Sequence, residues 1–307
     1  MTIRFDERVA IVTGAGGGLG RAHALALAAR GARVVVNDLG GARDGTGQSS
    51  DAAASVTDEI IQSGGTAMAN GANVTRPDEV EAMVAEAIER WGRVDILINN
   101  AGILRDKTFA KMSLDDFRLV LDVHLMGSAI CSKAVWETMR AQQYGRIVMT
   151  TSSSGLYGNF GQSNYGAAKM GLVGLMNTLV LEGKKYDIRV NTLAPTAATR
   201  MTEDIIPDPA LLELLTPQSV AAGCLALCHD EAPNRTILCA GAGGYAVSRI
   251  VETPGIHLTE AQQTPDQVVQ HWDEITNDDG QQELAFGGKQ TEKFLLRAAK
   301  ALHHKDS

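Results

Sequence analysis

Seven short runs rich in apolar and β-branched residues recur through the first 240 positions: RVAIVT (8–13), ARVVVND (32–38), TAMAN (66–70), VDILIN (94–99), GRIVMTT (145–151), IRVNTLA (188–194) and RTILCA (235–240). Longer helical patterns separate them, over 19–30, 51–63, 77–90, 115–140, 163–184 and 217–228. This alternation leaves few topologies open. It predicts parallel strands joined by helical crossovers, hence an α/β fold with a doubly wound parallel seven-stranded sheet. The strands are nearly continuous in hydrophobicity, as a sheet covered on both faces requires.

The pattern stops near Ala240. The stretch AGAGGYAVSRIVETPGIH carries no further strand–helix unit, HWDEITNDDGQQELAFGGKQ is polar and glycine-rich, and a last helix is expected over 291–302 before His303 and His304. The expected organisation is one main α/β domain over 1–240 and a C-terminal extension over 241–307, packed on it and ending in a loose tail.

A net charge of −8 argues against nucleic acid or an anionic membrane as partner. No apolar run is read as reaching the roughly 18 residues of a membrane span. MTIRFDERVAIV enters a strand without a signal-type cleavage site, and the terminal KDS is not a peroxisomal address, so a cytoplasmic protein is expected. Cys131, Cys224, Cys228 and Cys239 lie in mainly apolar segments and form no secreted-type framework. Cys224, Cys228 and His229 could hold a metal, but their helical apolar spacing reads as core; no metal is expected.

Between the first strand and its helix, TGAGGGLG (13–20) concentrates glycine. Backbone amides there, with the positive helix end, suit a pyrophosphate. The spacing is Thr-Gly-x-x-x-Gly-x-Gly through Thr13, Gly14, Gly18 and Gly20, not G-x-G-x-x-G. Asp38 ends the second strand eighteen residues later, where a carboxylate would accept from an adenosine ribose and repel a 2′-phosphate, so the expected cofactor is NAD. Two readings compete: Asp38 as a turn former, and Arg43 as a phosphate clamp.

SNYGAAKMGLVGL (163–175) reads as an apolar helix, yet Tyr165 and Lys169 stack on one face of it, four residues apart. A half-exposed helix edge explains this as well as a functional pair does. A phenol is a poor base at neutral pH, and a lysine cation one turn away would favour its anion. Ser152, at the end of the fifth strand, could bond a substrate oxygen as charge develops there, with Ser153 and Ser154 as rivals by composition.

TGAGGGLG, NNAG (99–102), a serine thirteen residues before a tyrosine, and YGAAK (165–169) together resemble the short-chain dehydrogenase/reductase family over roughly 8–240. VVVNDLGG, NNAGILRD, YGRIVMTTSSSGLYGNFGQSNYGAAK, NTLAPTAATRM and the loop LGGARDGTGQSS resemble, within it, the (3R)-hydroxyacyl-CoA dehydrogenase part of the peroxisomal multifunctional enzymes of type 2, also known as 17β-hydroxysteroid dehydrogenases type 4. The resemblance implies a Rossmann fold and an oxidoreductase acting on a secondary alcohol, most simply a (3R)-hydroxyacyl-CoA, with NAD. It selects Ser152 over its neighbours, makes Tyr165 the acid/base, and gives Lys169 the ribose hydroxyls.

Cofactor contacts are implied at Gly14, Gly18, Leu19, Gly20, Asp38, Asn73, Val74, Asn100, Ala101, Gly102, Pro195 and Thr199, besides Tyr165 and Lys169. His124 stands where the family usually has a relay asparagine, and either a relay or a core role fits it. The segment TEDIIPDPALLELL is expected as a lid. Arg105, Lys107 and Arg200 are candidates for CoA phosphates, with solvated surface charge the alternative. A homodimer or homotetramer through the helices at 115–140 and 163–184 is implied. The competing functions are an NADP-linked 3-oxoacyl or ketone reductase, a hydroxysteroid dehydrogenase, and a catalytically silent NAD sensor.

Overall fold

The computed structural model describes residues 2–42, 44–47, 49, 51–197 and 213–303. Arg43, Thr199, Arg200, His304 and most of the expected lid, up to Leu212, lie outside the described residues.

Contacts divide the chain into two compact units, Met1–Ser248 and Arg249–Ser307. The first is built on one sheet, with strands β1 (Val9–Thr13), β2 (Arg33–Asn37), β3 (Thr66–Asn70), β4 (Ile96–Asn99), β5 (Gly145–Thr150), β6 (Ile188–Thr196), β7 (Ile237–Gly241) and β8 (Gly244–Ser248). They lie in the order β3-β2-β1-β4-β5-β6-β7-β8. Every pairing is parallel except β7 with β8.

The helices of this unit are α1 (Gly18–Ala28), α2 (Asp51–Gln62), α3 (Pro77–Trp91), α4 (Leu114–Leu121), α5 (Gly127–Gln142), α6 (Ser153–Tyr157), α7 (Ser163–Gly183) and α8 (Pro217–Ala226). The expected fold class is thereby observed. The strand count is corrected: among the described residues the sheet has eight strands, not seven. The eighth follows a two-residue turn, Ala242–Gly243, in which both residues have positive φ (49° and 76°). That turn type matches the twist of an antiparallel pair, so a hairpin needs no crossover helix. The boundary expected at Ala240 falls inside this hairpin, and the first unit continues to Ser248.

Side-chain alternation splits the core into two layers. From β1, Ala10 and Val12 pack with Leu27, Ile60 and Cys224 on one face, while Ile11 packs with Met83, Met139 and Leu172 on the other. Cys224 and Cys228 are core residues on the first face. β1, β4 and β5 are buried throughout, which accounts for their uninterrupted hydrophobicity.

One long helical stretch, Leu114–Gln142, reaches a mean hydropathy of 1.3 over an 18-residue window. By length and composition it could cross a membrane, which corrects the sequence reading that no such run exists. Its apolar residues Val120, Cys131, Val135 and Met139 are instead buried in the core. A π-helical turn, Asp122–Met126, interrupts the stretch between α4 and α5, with Gly127 N–H donating to Asp122 O. One extra residue per turn there re-aims the side chains it carries.

The second unit holds α9 (Pro265–Gln270), α10 (Trp272–Thr276) and α11 (Gly288–His303). Lys293 Nζ donates to Glu252 and to Thr253 O, at 2.5 and 2.6 Å, and fastens α11 to the segment that opens the unit. None of its described residues is fully buried.

Candidate active site

A doubly wound sheet opens a crevice where the strand order reverses, here between β1 and β4 at their carboxyl ends. The glycine loop leaves β1 at that point. Gly14 has φ +64°, and a Cβ there would sit 2.7 Å from Ala101 Cα. A Cβ on Gly20 would collide with Gly14 O. These glycines close the loop on itself and on the NNAG run. Gly18 and Leu19 open α1, Gly18 with φ +51°. First-turn amides of α1 therefore point from this loop, the arrangement a diphosphate needs.

Asp38 stands beside the loop. Its Oδ2 accepts from Gly16 N at 2.7 Å and its Oδ1 from Gly40 N at 2.7 Å. The carboxylate is oriented by two backbone donors, and each oxygen keeps a lone pair for a hydroxyl.

Asn100 anchors the neighbouring strand end. Its Nδ2 donates to Thr13 O and Gly14 O, both at 3.0 Å, and the Asn100 and Ala101 amides donate to Thr13 Oγ1. Thr13 was not singled out in the sequence beyond its place in the glycine run, yet its hydroxyl joins the two loops. Asn99 binds Ser132 instead, at 3.2 Å, and its Oδ1 is buried without a partner. Asn73 Oδ1 accepts from Thr75 N and Oγ1, and Val74 is buried against Gly127. Pro195 pairs with Ala240 near the end of β6.

The chemistry-bearing side chains converge across the crevice. Ser152 caps α6, its Oγ accepting from Ser154 N at 3.2 Å, and also hydrogen-bonds the Tyr165 phenol. Asn164 is buried, donates to Arg105 O at 3.0 Å and accepts from Tyr165 N at 2.7 Å, fixing the start of α7. Lys169 is 3% exposed and donates from Nζ to Thr150 O at 2.5 Å, with Nζ 5.4 Å from the Tyr165 ring centroid. His124, presented by the π-turn, packs edge-on to the Tyr165 ring at 5.1 Å between centroids. Thus Ser152, Tyr165, Lys169 and His124 are brought together, as their spacing alone could not establish.

One expectation is corrected. Tyr165 is not depressed by Lys169: burial pushes the phenol up to about 12, opposed by the Ser152 hydrogen bond, and the Asp106 charge adds to the rise. Burial also lowers the Lys169 ammonium to about 7. The ammonium is directed at the Thr150 carbonyl, and a group titrating at about 7 carries only part of its charge at neutral pH, so it favours the phenolate less than a full cation aimed at the hydroxyl would.

Arg105 Nη1 binds Asp116 at 2.7 Å and its Nε binds Asp44 O, while Lys107 lies 3.6 Å from the same carboxylate. Of the three cations expected for CoA phosphates, the two among the described residues are therefore already paired. Tyr157 and Phe160, 72% and 88% exposed on the segment between Ser152 and Tyr165, were missed because single exposed aromatics carry no spacing signal.

A glycine-lined dinucleotide crevice next to a Ser-Tyr-Lys set defines a nicotinamide-dependent oxidoreductase of the doubly wound α/β class. The short chain dehydrogenase family model matches residues 8–210, and the chain belongs to that family.

Among curated relatives, a short-chain type dehydrogenase/reductase of Mycobacterium tuberculosis is 50% identical over 92% of this chain and 98% of its own. Peroxisomal multifunctional enzyme type 2 of Mus musculus is 48% identical over 89% of this chain. This chain spans 37% of that mouse protein's length. Among solved structures, full-length peroxisomal multifunctional enzyme type 2 of Drosophila melanogaster aligns with a TM-score of 0.81 at 37% identity, covering 98% of this chain and 51% of that one. A 7α-hydroxysteroid dehydrogenase complexed with NADH aligns with a TM-score of 0.70 at 32% identity, over 78% of this chain and 95% of that one.

Proposed function

We propose that the chain oxidises a (3R)-hydroxyacyl-CoA thioester to the 3-oxo thioester with NAD. The observation that carries this reading is the clustering of Ser152, Tyr165 and buried Lys169, with Ser152 hydrogen-bonded to the Tyr165 phenol and the Lys169 Nζ 5.4 Å from its ring centroid. Similarity to the type 2 multifunctional enzymes supports the substrate class. A nicotinamide held between the glycine loop and Pro195 would supply the hydride acceptor. The rest falls to the chain's own groups.

Ser152 Oγ donates to the substrate oxygen and holds it at the Tyr165 hydroxyl. Tyr165 takes the alcohol proton as the C–H bond breaks. Lys169, fixed by Thr150 O, offers its remaining N–H bonds to ribose hydroxyls and to the developing phenolate. Asp38, with a free lone pair on each oxygen, favours a ribose bearing a 2′-hydroxyl over one bearing a 2′-phosphate. Tyr157 and Phe160 offer exposed aromatic surface for an acyl or sterol chain.

A homodimer or homotetramer fits the exposed apolar face of α7, with Met170 and Leu181, and the exposed Trp272, Phe294, Leu295 and Leu296 of the second unit. A cytoplasmic location remains part of this reading.

The test is nicotinamide reduction with NAD or NADP on (3R)- and (3S)-hydroxyacyl-CoA of several lengths and on hydroxysteroids. Turnover of the (3R) thioester with NAD, lost in Tyr165→Phe with cofactor affinity kept, is the expected result. Reaction of steroids alone would move the substrate to the hydroxysteroid class, and preference for NADP would reassign the chain as a reductase. No turnover with any substrate, cofactor binding being retained, would favour a sensor.

A further inference from the structure

The loop after β4 and the π-turn meet at one crowded point. A Cβ on Gly102 would overlap His124 Cε1 and lie 2.9 Å from Nδ1, so glycine is the one residue that leaves room for the imidazole. The ring is held from the other side as well. His124 Nε2 lies 2.8 Å from Ile103 O and 3.1 Å from Ile103 N. Ser128 Oγ donates to His124 O at 2.6 Å and fastens the π-turn beneath it. The opposite contact is the Tyr165 ring, met edge-on with an interplanar angle of 89°.

Nε2 faces both backbone groups of Ile103: as a lone pair it accepts from Ile103 N–H, and protonated it donates to Ile103 O. Either way the ring is tied to the loop after β4, while Nδ1 is buried without a partner.

We propose that Gly102 and His124 form an interlocked positioning pair: the imidazole, held against the Ile103 backbone through Nε2, sets the Tyr165 ring relative to the loop that carries Asn100 and Ala101. His124 is then a positioning residue acting through Tyr165, and Gly102 is glycine because of that ring. Desolvation and the nearby Lys169 charge both keep the ring uncharged.

The kinetic arm rests on the dehydrogenase reading above; the other two arms do not. His124→Ala is expected to lower kcat by about tenfold or more with KM and cofactor affinity within about threefold, the signature of lost orientation. Gly102→Ala is expected to cost about 30-fold in kcat alone but under about threefold in the His124→Ala background, because the clash has gone. Losses that multiply would overturn the interlock.

If Gly102→Ala does not fold, its thermal midpoint together with His124→Ala decides: recovery above Gly102→Ala supports the pair, and a further fall overturns it. Nitrogen-15 spectra of the histidine rings, assigned by difference with His124→Asn, form the third arm. The His124 ring is expected not to titrate between pH 5.5 and 9. Titration of the His124 ring in that range would refute the proposal. Should the parent protein be inert toward every thioester, the function reading fails while the stability cycle and the spectra still judge the pair.

Discussion

The Lys169 ammonium lies 5.4 Å from the centroid of the Tyr165 ring while its Nζ donates to the Thr150 carbonyl at 2.5 Å. Burial lowers this cation to about 7 from its usual 10.5. Between those values the unfolded chain holds a proton that the folded chain has released, so this group makes stability rise with pH from 7 to 10.5. Below pH 7 its full penalty is present. Lys169→Met is therefore expected to stabilise the free protein by about 2 kcal/mol or more at pH 6 while abolishing turnover, a trade between activity and stability. Urea unfolding at pH 6 and pH 10 checks this. A variant weaker than its parent at pH 6 would show that the bond to Thr150 outweighs desolvation.

The phenol gives a second pH signature. With Tyr165 raised to about 12 in the free protein, the phenolate fraction grows tenfold per pH unit over the accessible range. The oxidative kcat/KM reports the free enzyme and should climb from pH 6 to 10, less steeply above pH 7, where Lys169 loses its charge. A plateau starting below pH 8 would place the phenol's ionisation far lower than its burial implies.

Asp38 accepts from Gly16 N and Gly40 N through different oxygens. Asparagine can replace only one of those acceptors and turns an N–H₂ toward the other donor. Asp38→Asn should raise the KM for NAD by about tenfold, and should raise the NADP/NAD ratio of kcat/KM as the negative charge disappears. An unchanged ratio would separate Asp38 from the ribose.

His23 is fully buried in α1, with neither ring nitrogen bonded, and burial lowers its pKa to about 4 from 6.5. Between these values the unfolded chain binds the extra proton, so stability falls as pH drops from 6.5 toward 4. The loss is about 3 kcal/mol at the lower end. His23→Leu should flatten this acid limb in denaturant titrations at pH 4.5 and 7. An equal slope in both proteins would exclude His23 as its source.

Arg146 is fully buried at the start of β5, bonded to the carbonyls of Asp187, His229 and Asp230 and to the Asp187 carboxylate, with its guanidinium 4.1 Å from the Tyr144 ring centroid. Lysine cannot reproduce that fork. Arg146→Lys should destabilise the fold by about 3 kcal/mol and leave KM unchanged, read by chemical unfolding beside kinetics. A cost under about 1 kcal/mol would mean that water replaces the lost bonds.

The alternation of apolar runs made seven strands and the crossover helices legible, because burial on both sheet faces imposes continuous hydrophobicity on the sequence itself. Short helices such as α6 and the hairpin strand β8 were not legible: neither contains a buried residue, so burial imposes no hydrophobic pattern on them. Tyr165, Lys169 and Ser152 were readable as a set through spacing and resemblance. Thr13 and Asn164 were not, since their hydrogen bonds join residues 87 and 59 positions away.

What the sequence alone determined is local and periodic: helix faces, strand burial, the glycine turn and an acid at the end of β2. Only the tertiary structure decided which charges are desolvated. Lys169 and Tyr165 look alike in sequence whether wet or dry, but the fold buries Lys169 and half-buries Tyr165, and that burial raises the phenol where a depression was expected. The same holds for Gly102, whose missing Cβ is explained by an imidazole twenty-two positions away, across the fold.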